Sequence, residues 1–133
     1  HEAIYQPIQN ILFACDYKQV AKTTPVQPIE TNVQQTNAHL HVLHVADADK
    51  KAVDFDNEVA TLKNALQNAS PQFHVVQSAD FSNAIATFIA QNNIQLLIAI
   101  PKRHGFFEGL FHRSHVKTLA FHTHVPLMLV HEE

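Results

Sequence analysis

The sequence predicts a single α/β domain built on an open parallel sheet with helices on both faces. Short apolar runs alternate along the chain with segments whose apolar residues recur every three or four positions, and this alternation is typical of parallel sheets with right-handed crossovers. With 133 residues, 46% of them apolar and 16% charged, the chain has the composition of one globular domain with a modest core. No apolar run approaches the roughly 20 residues that cross a bilayer.

The first strand and the first helix are marked by an apolar run and by two prolines. Ile11–Ala14 is apolar at every position, which indicates a strand buried on both faces. A helix is expected to begin between Pro25 and Pro28, because proline is tolerated only in the first turn of a helix. Ile29 and Val33, four residues apart, supply its buried side.

The middle of the chain repeats the strand–helix–strand order. Leu40–Val45 predicts the second strand, and Phe73–Val76 the third. Between them we expect a helix from about Lys51 to Gln67, ended by Ser70 and Pro71. Four apolar residues recur there at helical spacing: Phe55, Val59, Leu62 and Leu66.

The last third predicts two more strands and two more helices. Asp80 is a good N-cap for a helix with an apolar stripe formed by Phe81, Ile85, Phe88 and Ile89. The longest apolar run, Ile94–Ile100, predicts a central strand, and Leu127–Val130 predicts the final one. Ser114 is expected to cap the helix between them. The order of elements is therefore β-α-β-α-β-α-β-α-β.

Charge and cysteine content limit the classes of partner. The net charge is −3 with histidines neutral, so no broad nucleic-acid-binding surface is expected. The chain has 11 histidines. Histidine titrates near pH 6.5, so at that pH about half of them would be charged and the net charge would be about +2. The single cysteine, Cys15, rules out an internal disulfide and fits a reducing cytoplasm.

The expected ligand crevice lies at the carboxyl ends of the strands, where strand order reverses. Periodicity does not give that order; with the expected order 3-2-1-4-5, the crevice lies between strands one and four. Asp16 and the loop from Pro101 to Arg113 would face it. That loop carries five cationic or protonatable residues: Lys102, Arg103, His104, His112 and Arg113. It is either an anion-binding corner, helped by the helix N-terminus at Ser114, or a solvated basic loop held down by its phenylalanines.

At these positions the chain resembles the universal stress protein family. The matching features are Asp16 after strand one, Leu43–Val45 at the end of strand two, and the spacing from Ser114 to Pro126. The resemblance covers residues 9–131, and the segment from His104 to Ser114 is similar to the second domain of tandem universal stress proteins. It implies a domain over residues 9–133, preceded by a linker or remnant at 1–8.

The same resemblance implies that ATP binding is lost or weak. ATP-binding members carry G-x2-G-x9-G-[ST] after the fourth strand, and anchoring on Ser114 puts the glycine positions at Ile100, Arg103 and Arg113. Side chains there would hinder the close approach of the backbone to a triphosphate. The adenine and ribose contacts map to Ala14, Cys15, Asp16 and Val45. The residues expected to hold ATP, AMP or a phosphate-like anion are Asp16, Val45, Lys102, Arg103, Arg113 and Ser114.

Other chemistry has less support in the sequence. His112, His115, His122, His124 and His131 match no standard zinc spacing, so no metal site is expected among them. Cys15 is expected to be a buried core thiol, even though His44 could lie near it. No pair of carboxylates at fixed spacing indicates hydrolysis, and we do not expect an enzyme.

The expected function is therefore a non-catalytic, cytoplasmic stress-response or regulatory domain without nucleic-acid or membrane partners. It would associate with a sister domain or with a second copy through the strand near Val125–Val130, since the resemblance implies pairing of the last strand across a dimer axis. Two alternatives stay open. One is a nucleotide- or small-anion-binding protein, and the other is a histidine-rich module that responds to metal or pH.

Overall fold

The computed structural model describes residues 7–15, 24–48, 54–100 and 122–130. Within them, five strands form one sheet in the order β3-β2-β1-β4-β5, and every neighbouring pair is parallel. The strands are β1 Asn10–Ala14, β2 His39–Asp47, β3 Gln72–Ser78, β4 Leu96–Ala99 and β5 Leu127–Leu129. This confirms the predicted sheet and its strand order.

Helices cover both faces of the sheet, as predicted. The described helices are α1 Val26–Thr36, α2 Asp56–Ala65 and α3 Phe81–Gln91, with a 3-10 turn at Gln67–Ala69. α1 and α2 pack on one face, where Ile29 and Leu62 join Ile11 and Phe13 of β1 in one apolar cluster. α3 packs on the other face, where its apolar stripe joins Leu12 and the rest of a second cluster. Because adjacent residues of a strand point to opposite faces, β1 contributes to both clusters.

Two of the predicted helix signals are present in the structure. Pro25 precedes α1 and Pro28 lies in its first turn, where neither removes a helical hydrogen bond. The Asp80 side chain caps α3, because its Oδ1 accepts a hydrogen bond from the Asn83 N–H at 3.0 Å. Both helices therefore begin where the sequence predicts.

The start of α2 and the start of β4 were predicted too early. α2 begins at Asp56 rather than near Lys51, because the Asp54 carboxylate accepts the Asp56 N–H at 2.9 Å and forms a local turn before the helix. β4 begins at Leu96 rather than Ile94, because the Ile94 N–H donates to the carbonyl of Ile89 and closes the end of α3. Short-range hydrogen bonds moved both boundaries.

The last predicted helix lies mostly outside the described residues. Residues 122 and 123 are helical and precede β5 in the chain. Ser114, the expected cap, is not among the described residues. In the part of the chain that is described, no helix is long and apolar enough to cross a membrane.

Candidate functional site

The carboxyl edge of the sheet has a step beside the point where strand order reverses. β1 ends at Ala14, which is in register with Leu43 of β2 and with Ala99 of β4. β2 continues beyond this level and stays paired with β3 as far as Asp47 and Ser78. β1 and β4 thus end at one level and β2 extends beyond it. The step lies between β2 and β1, next to the β1–β4 junction where strand order reverses and where open α/β sheets bind ligands.

The floor of this step is apolar. Cys15 and Ile100 directly follow β1 and β4, and both side chains are buried in the cluster beneath α1 and α2. Ala14 and Ala99 are buried in the opposite cluster, beneath α3. The predicted first glycine position, Ile100, is therefore occupied by a side chain that belongs to the core.

His44 fixes the end of β1. Its Nδ1 lies 3.2 Å from the carbonyl oxygen of Cys15, so Nδ1 carries the proton and donates it. The ring is buried and meets the Phe55 ring edge-on, with centroids 4.7 Å apart. The contact of His44 with Cys15 is thus one that holds the backbone, and the Cys15 side chain is buried, as predicted.

Of the six residues expected to hold the ligand, Val45 is the one among the described residues. Its side chain is 1% exposed and packs in the cluster beneath α3. Leu43 O accepts from the Cys15 N–H at 2.9 Å, so the backbone of Leu43 faces β1. Alternate residues of a strand direct their backbone groups to the same side, and the N–H and C=O of Val45 therefore face the step beyond the end of β1.

The other predicted ligand residues lie outside the described residues. They are Asp16, Lys102, Arg103, Arg113 and Ser114. The structure therefore describes the β2 side of the candidate site, and the basic loop stays a prediction.

The described rim of the step carries acidic side chains. Asp47 ends β2, Asp54 and Asp56 lie at the start of α2, and Asp80 caps α3. No lysine or arginine lies on those elements at this edge in the part of the chain the structure describes. Like charges repel, so these carboxylates disfavour the binding of a phosphate nearby. An anion would bind at this edge only with help from the cationic residues of the predicted basic loop.

No metal group is preformed among the described residues. Nowhere in them do three or more His, Cys, Asp or Glu side chains surround a common point. His122 and His124 are described, with His124 in the left-handed region at φ 59°. His112, His115 and His131, the other members of the set considered from the sequence, lie outside the described residues.

A histidine pair that sequence reasoning missed lies on the α3 face of the sheet. His41 of β2 and His74 of β3 approach to 3.2 Å between Nδ1 and Nε2. Burial lowers the pKa of His41, and the charges of His74 and His39 lower it further. Burial also lowers the pKa of His74. The available signal was period-two spacing, which puts His39 and His41 on one face of β2.

Sequence comparison alone assigns the chain to no group. No protein-family model matches it, and no curated protein matches it.

Comparison of structures finds clear neighbours. A universal stress protein in complex with cAMP matches at a TM-score of 0.64 and 15% identity, covering 95% of this chain and 98% of its own. One from Archaeoglobus fulgidus in complex with dAMP matches at 0.63 and 13%, covering 93% and 98%. A further universal stress protein from Archaeoglobus fulgidus matches at 0.67 and 16%, covering 93% of this chain and 44% of its own.

These matches extend over nearly the whole chain at low sequence identity, and they agree with the strand order and the helix layers described above. The chain therefore has the fold of the universal stress proteins.

Proposed function

We propose that this chain is a non-catalytic regulatory domain of the universal stress type that binds an adenine nucleotide weakly and associates with a second domain of the same fold. The observation that carries the ligand part is the step at the sheet edge, with the Val45 backbone directed into it. A stress-response role in the cytoplasm follows from the family resemblance and is part of the proposal.

The Val45 backbone offers a donor and an acceptor side by side beyond the end of β1. The edge of adenine presents an amino donor beside a ring-nitrogen acceptor, so the two patterns are complementary. The apolar floor formed near Ala14 and Ala99 suits a flat ring. Solved neighbours of the same fold are complexes with cAMP and dAMP, which supports an adenine ligand for this chain.

A triphosphate has less support than a monophosphate. The residue after β4, Ile100, is a buried isoleucine where ATP-binding relatives have glycine, and the described rim is acidic. The two other glycine positions are Arg103 and Arg113 in the sequence. Guanidinium groups can bind one phosphate through side-chain donors, but they cannot replace a glycine-rich backbone cradle.

Calorimetric titration is expected to give AMP and cAMP dissociation constants of about 0.1–1 mM, equivalent to roughly 4–5.5 kcal/mol of binding free energy. ATP should bind no more tightly than AMP. Asp16→Ala should weaken AMP binding, and Arg113→Ala should weaken it through loss of phosphate contacts. Lys63→Ala is the matched control, since Lys63 lies in the last turn of α2, at the other edge of the sheet, and should change nothing.

Micromolar ATP binding that is lost in Ser114→Ala and Arg113→Ala would contradict the weak-binding proposal and favour a true nucleotide-binding protein. Turnover of ATP by the purified chain would contradict its non-catalytic part.

The association part rests on β5, an edge strand of the sheet. The Val130 N–H donates to the carbonyl of Ala99, and the Leu97 N–H donates to the carbonyl of Pro126, so even-numbered residues face β4. The backbone groups of Leu127 and Leu129 therefore face the open edge. The side chains of β5 are apolar and half-buried. A strand that combines such side chains with outward-facing backbone groups favours pairing with another strand. One solved neighbour is more than twice as long as the part this chain matches, which leaves room for a sister domain.

Sedimentation analysis is expected to show a dimer that Leu129→Pro disrupts. Proline removes the outward N–H of residue 129 without removing a hydrogen bond to β4. Leu129→Ala is the matched control: it loses the same side-chain packing but keeps the N–H, and it should remain dimeric. A wild-type chain that stays strictly monomeric at high concentration would contradict association between copies.

A further inference from the structure

The His41–His74 pair lies away from the stepped edge. His41 is in the first half of β2, in register with Gln72, whereas the step begins after Leu43. The imidazole centroids are 5.3 Å apart. Both rings make edge-to-face contacts with Phe88 of α3, with centroid distances of 5.9 Å for His41 and 4.9 Å for His74. The pair is therefore held between the sheet and α3, independently of the nucleotide proposal.

Asn10 determines where the His41 proton lies. The Asn10 Nδ2 donates to the carbonyl of Asn93 at 3.2 Å, so its Oδ1 is the atom that lies 3.2 Å from His41 Nε2. His41 Nε2 must then carry the proton, which leaves a lone pair on Nδ1 directed at His74. Metal-binding histidines show the same arrangement, with one ring nitrogen donating to an oxygen and the other on the ion.

The nitrogen–nitrogen distance suits two ligands of one ion. Zinc binds imidazole nitrogen at about 2.0–2.1 Å, and a tetrahedral angle then puts two such nitrogens roughly 3.3–3.4 Å apart. His41 Nδ1 and His74 Nε2 lie 3.2 Å apart. In the metal-free protein, His74 Nε2 carries a proton and donates it in a hydrogen bond to His41 Nδ1. With a metal ion in the gap, His74 would carry its proton on Nδ1 instead.

A third imidazole is available on the same face. His39 lies two residues before His41, so its side chain is on the α3 face of β2, and it is exposed. Successive residues on one face of a strand are roughly 6.6 Å apart along it, which puts the backbone of His39 next to that of His41. His41 is 7% exposed and His74 is partly exposed. The described residues contain no finished set of three ligands, so His39 would have to rotate to complete one.

We propose that His41 and His74 bind a divalent transition metal ion of the zinc class, with His39 as the third ligand and water in the remaining position. Imidazole ligands suit Zn²⁺, Cu²⁺ and Ni²⁺. When an ion binds, the His74 proton moves from Nε2 to Nδ1 and His41 keeps its proton on Nε2, so two neutral imidazoles supply the ligand nitrogens.

The test is titration of the whole chain with Zn²⁺, together with the visible spectrum of the Co²⁺-loaded protein. We expect one ion per chain and intense tetrahedral Co²⁺ bands. His74→Gln should weaken Zn²⁺ binding at least tenfold, and His39→Gln several-fold. The control is His124→Asn. His124 is exposed and has a positive φ, which asparagine also tolerates. It precedes β5, which lies about 14 Å across the sheet from β2.

Circular dichroism of each metal-free variant separates loss of the site from loss of the fold. His39 is exposed, so His39→Gln remains informative even where His74→Gln does not fold. Zn²⁺ binding that is unchanged in both variants would overturn the proposal. So would binding lost in His124→Asn, which would assign the ion to the carboxyl-terminal histidines, and so would the absence of Zn²⁺ binding below about 1 mM.

Discussion

Replacing Phe13 with alanine is expected to lower the free energy of unfolding by about 3–5 kcal/mol. Phe13 is 0% exposed and lies in β1, the central strand of the sheet. It is in register with Val42 on one side and Ile98 on the other, and its ring packs with Ile29 beneath α1. Strands on both sides hold the backbone in place, so the cavity left by the ring cannot collapse. Domains of this size have about 5–15 kcal/mol in total, so the loss is a large share.

Urea denaturation followed by circular dichroism measures this loss. Val75→Ala is the control, because Val75 is 56% exposed on the edge strand β3 and its truncation should cost less than about 1 kcal/mol. Phe13→Leu should fall between the two. A cost for Phe13→Ala no larger than that for Val75→Ala would contradict the position of the ring in the core.

The sheet could be predicted because its central strands are buried on both faces. Ile11–Ala14 and the stretch around Leu96–Ala99 are apolar at every position, a pattern that parallel central strands require and surface helices do not show. Strand order was a different problem. It depends on contacts between distant parts of the chain, and no local pattern records them; the order 3-2-1-4-5 was an assumption for this class of sheet.

Element boundaries could not be predicted from periodicity, because short-range hydrogen bonds decide them. Phe55 has the spacing of the α2 stripe, yet the Asp54 carboxylate forms a turn that delays the helix to Asp56. Ile94 continues an apolar run, yet its N–H closes the end of α3. In both cases an apolar side chain packs in or against the core while its backbone belongs to a turn.

The candidate site was predictable only in part, for a similar reason. Val45 was found through the resemblance, but the unequal lengths of β1 and β2 that direct its backbone into the step appear only in the sheet register. The pairing of His41 with His74 depends on the same register. It sets His41 opposite Gln72 and brings His74 diagonally near, and neither strand alone contains that information.

Stability of the metal-free protein is expected to fall as the pH drops below about 6.5. Burial lowers the pKa of His41, with His74 and His39 adding to the effect, and burial lowers the pKa of His74. Unfolded histidines titrate near 6.5, so just below that pH the unfolded chain binds more protons than the folded one. The stability that comes from keeping these two histidines uncharged is therefore complete above the pKa of the unfolded state. It is lost as the pH falls through the lower pKa values of the folded state.

Neighbouring charges do not reverse this sign. The described elements packed against the pair, β1 and α3, contain no Asp, Glu, Lys or Arg, and β3 contributes only His74 itself. On β2 the nearest titratable group is His39, whose positive charge opposes protonation of His41. The slope should be at most about 1.4 kcal/mol per pH unit for each proton taken up, and less for His74, because it is partly exposed and solvent screens its charge.

Urea midpoints measured with EDTA between pH 7.5 and 5 separate this pair from the other histidines. The wild-type free energy of unfolding should fall across that range, and His74→Gln should flatten the decline, because it removes one titrating ring and the charge that opposes protonation of His41. His124 is exposed and lies far from the pair, so His124→Asn should keep the wild-type slope. Equal slopes in wild type and His74→Gln would mean that the pH dependence arises elsewhere, and that the interface between the sheet and α3 accepts the charged pair at no cost to the fold.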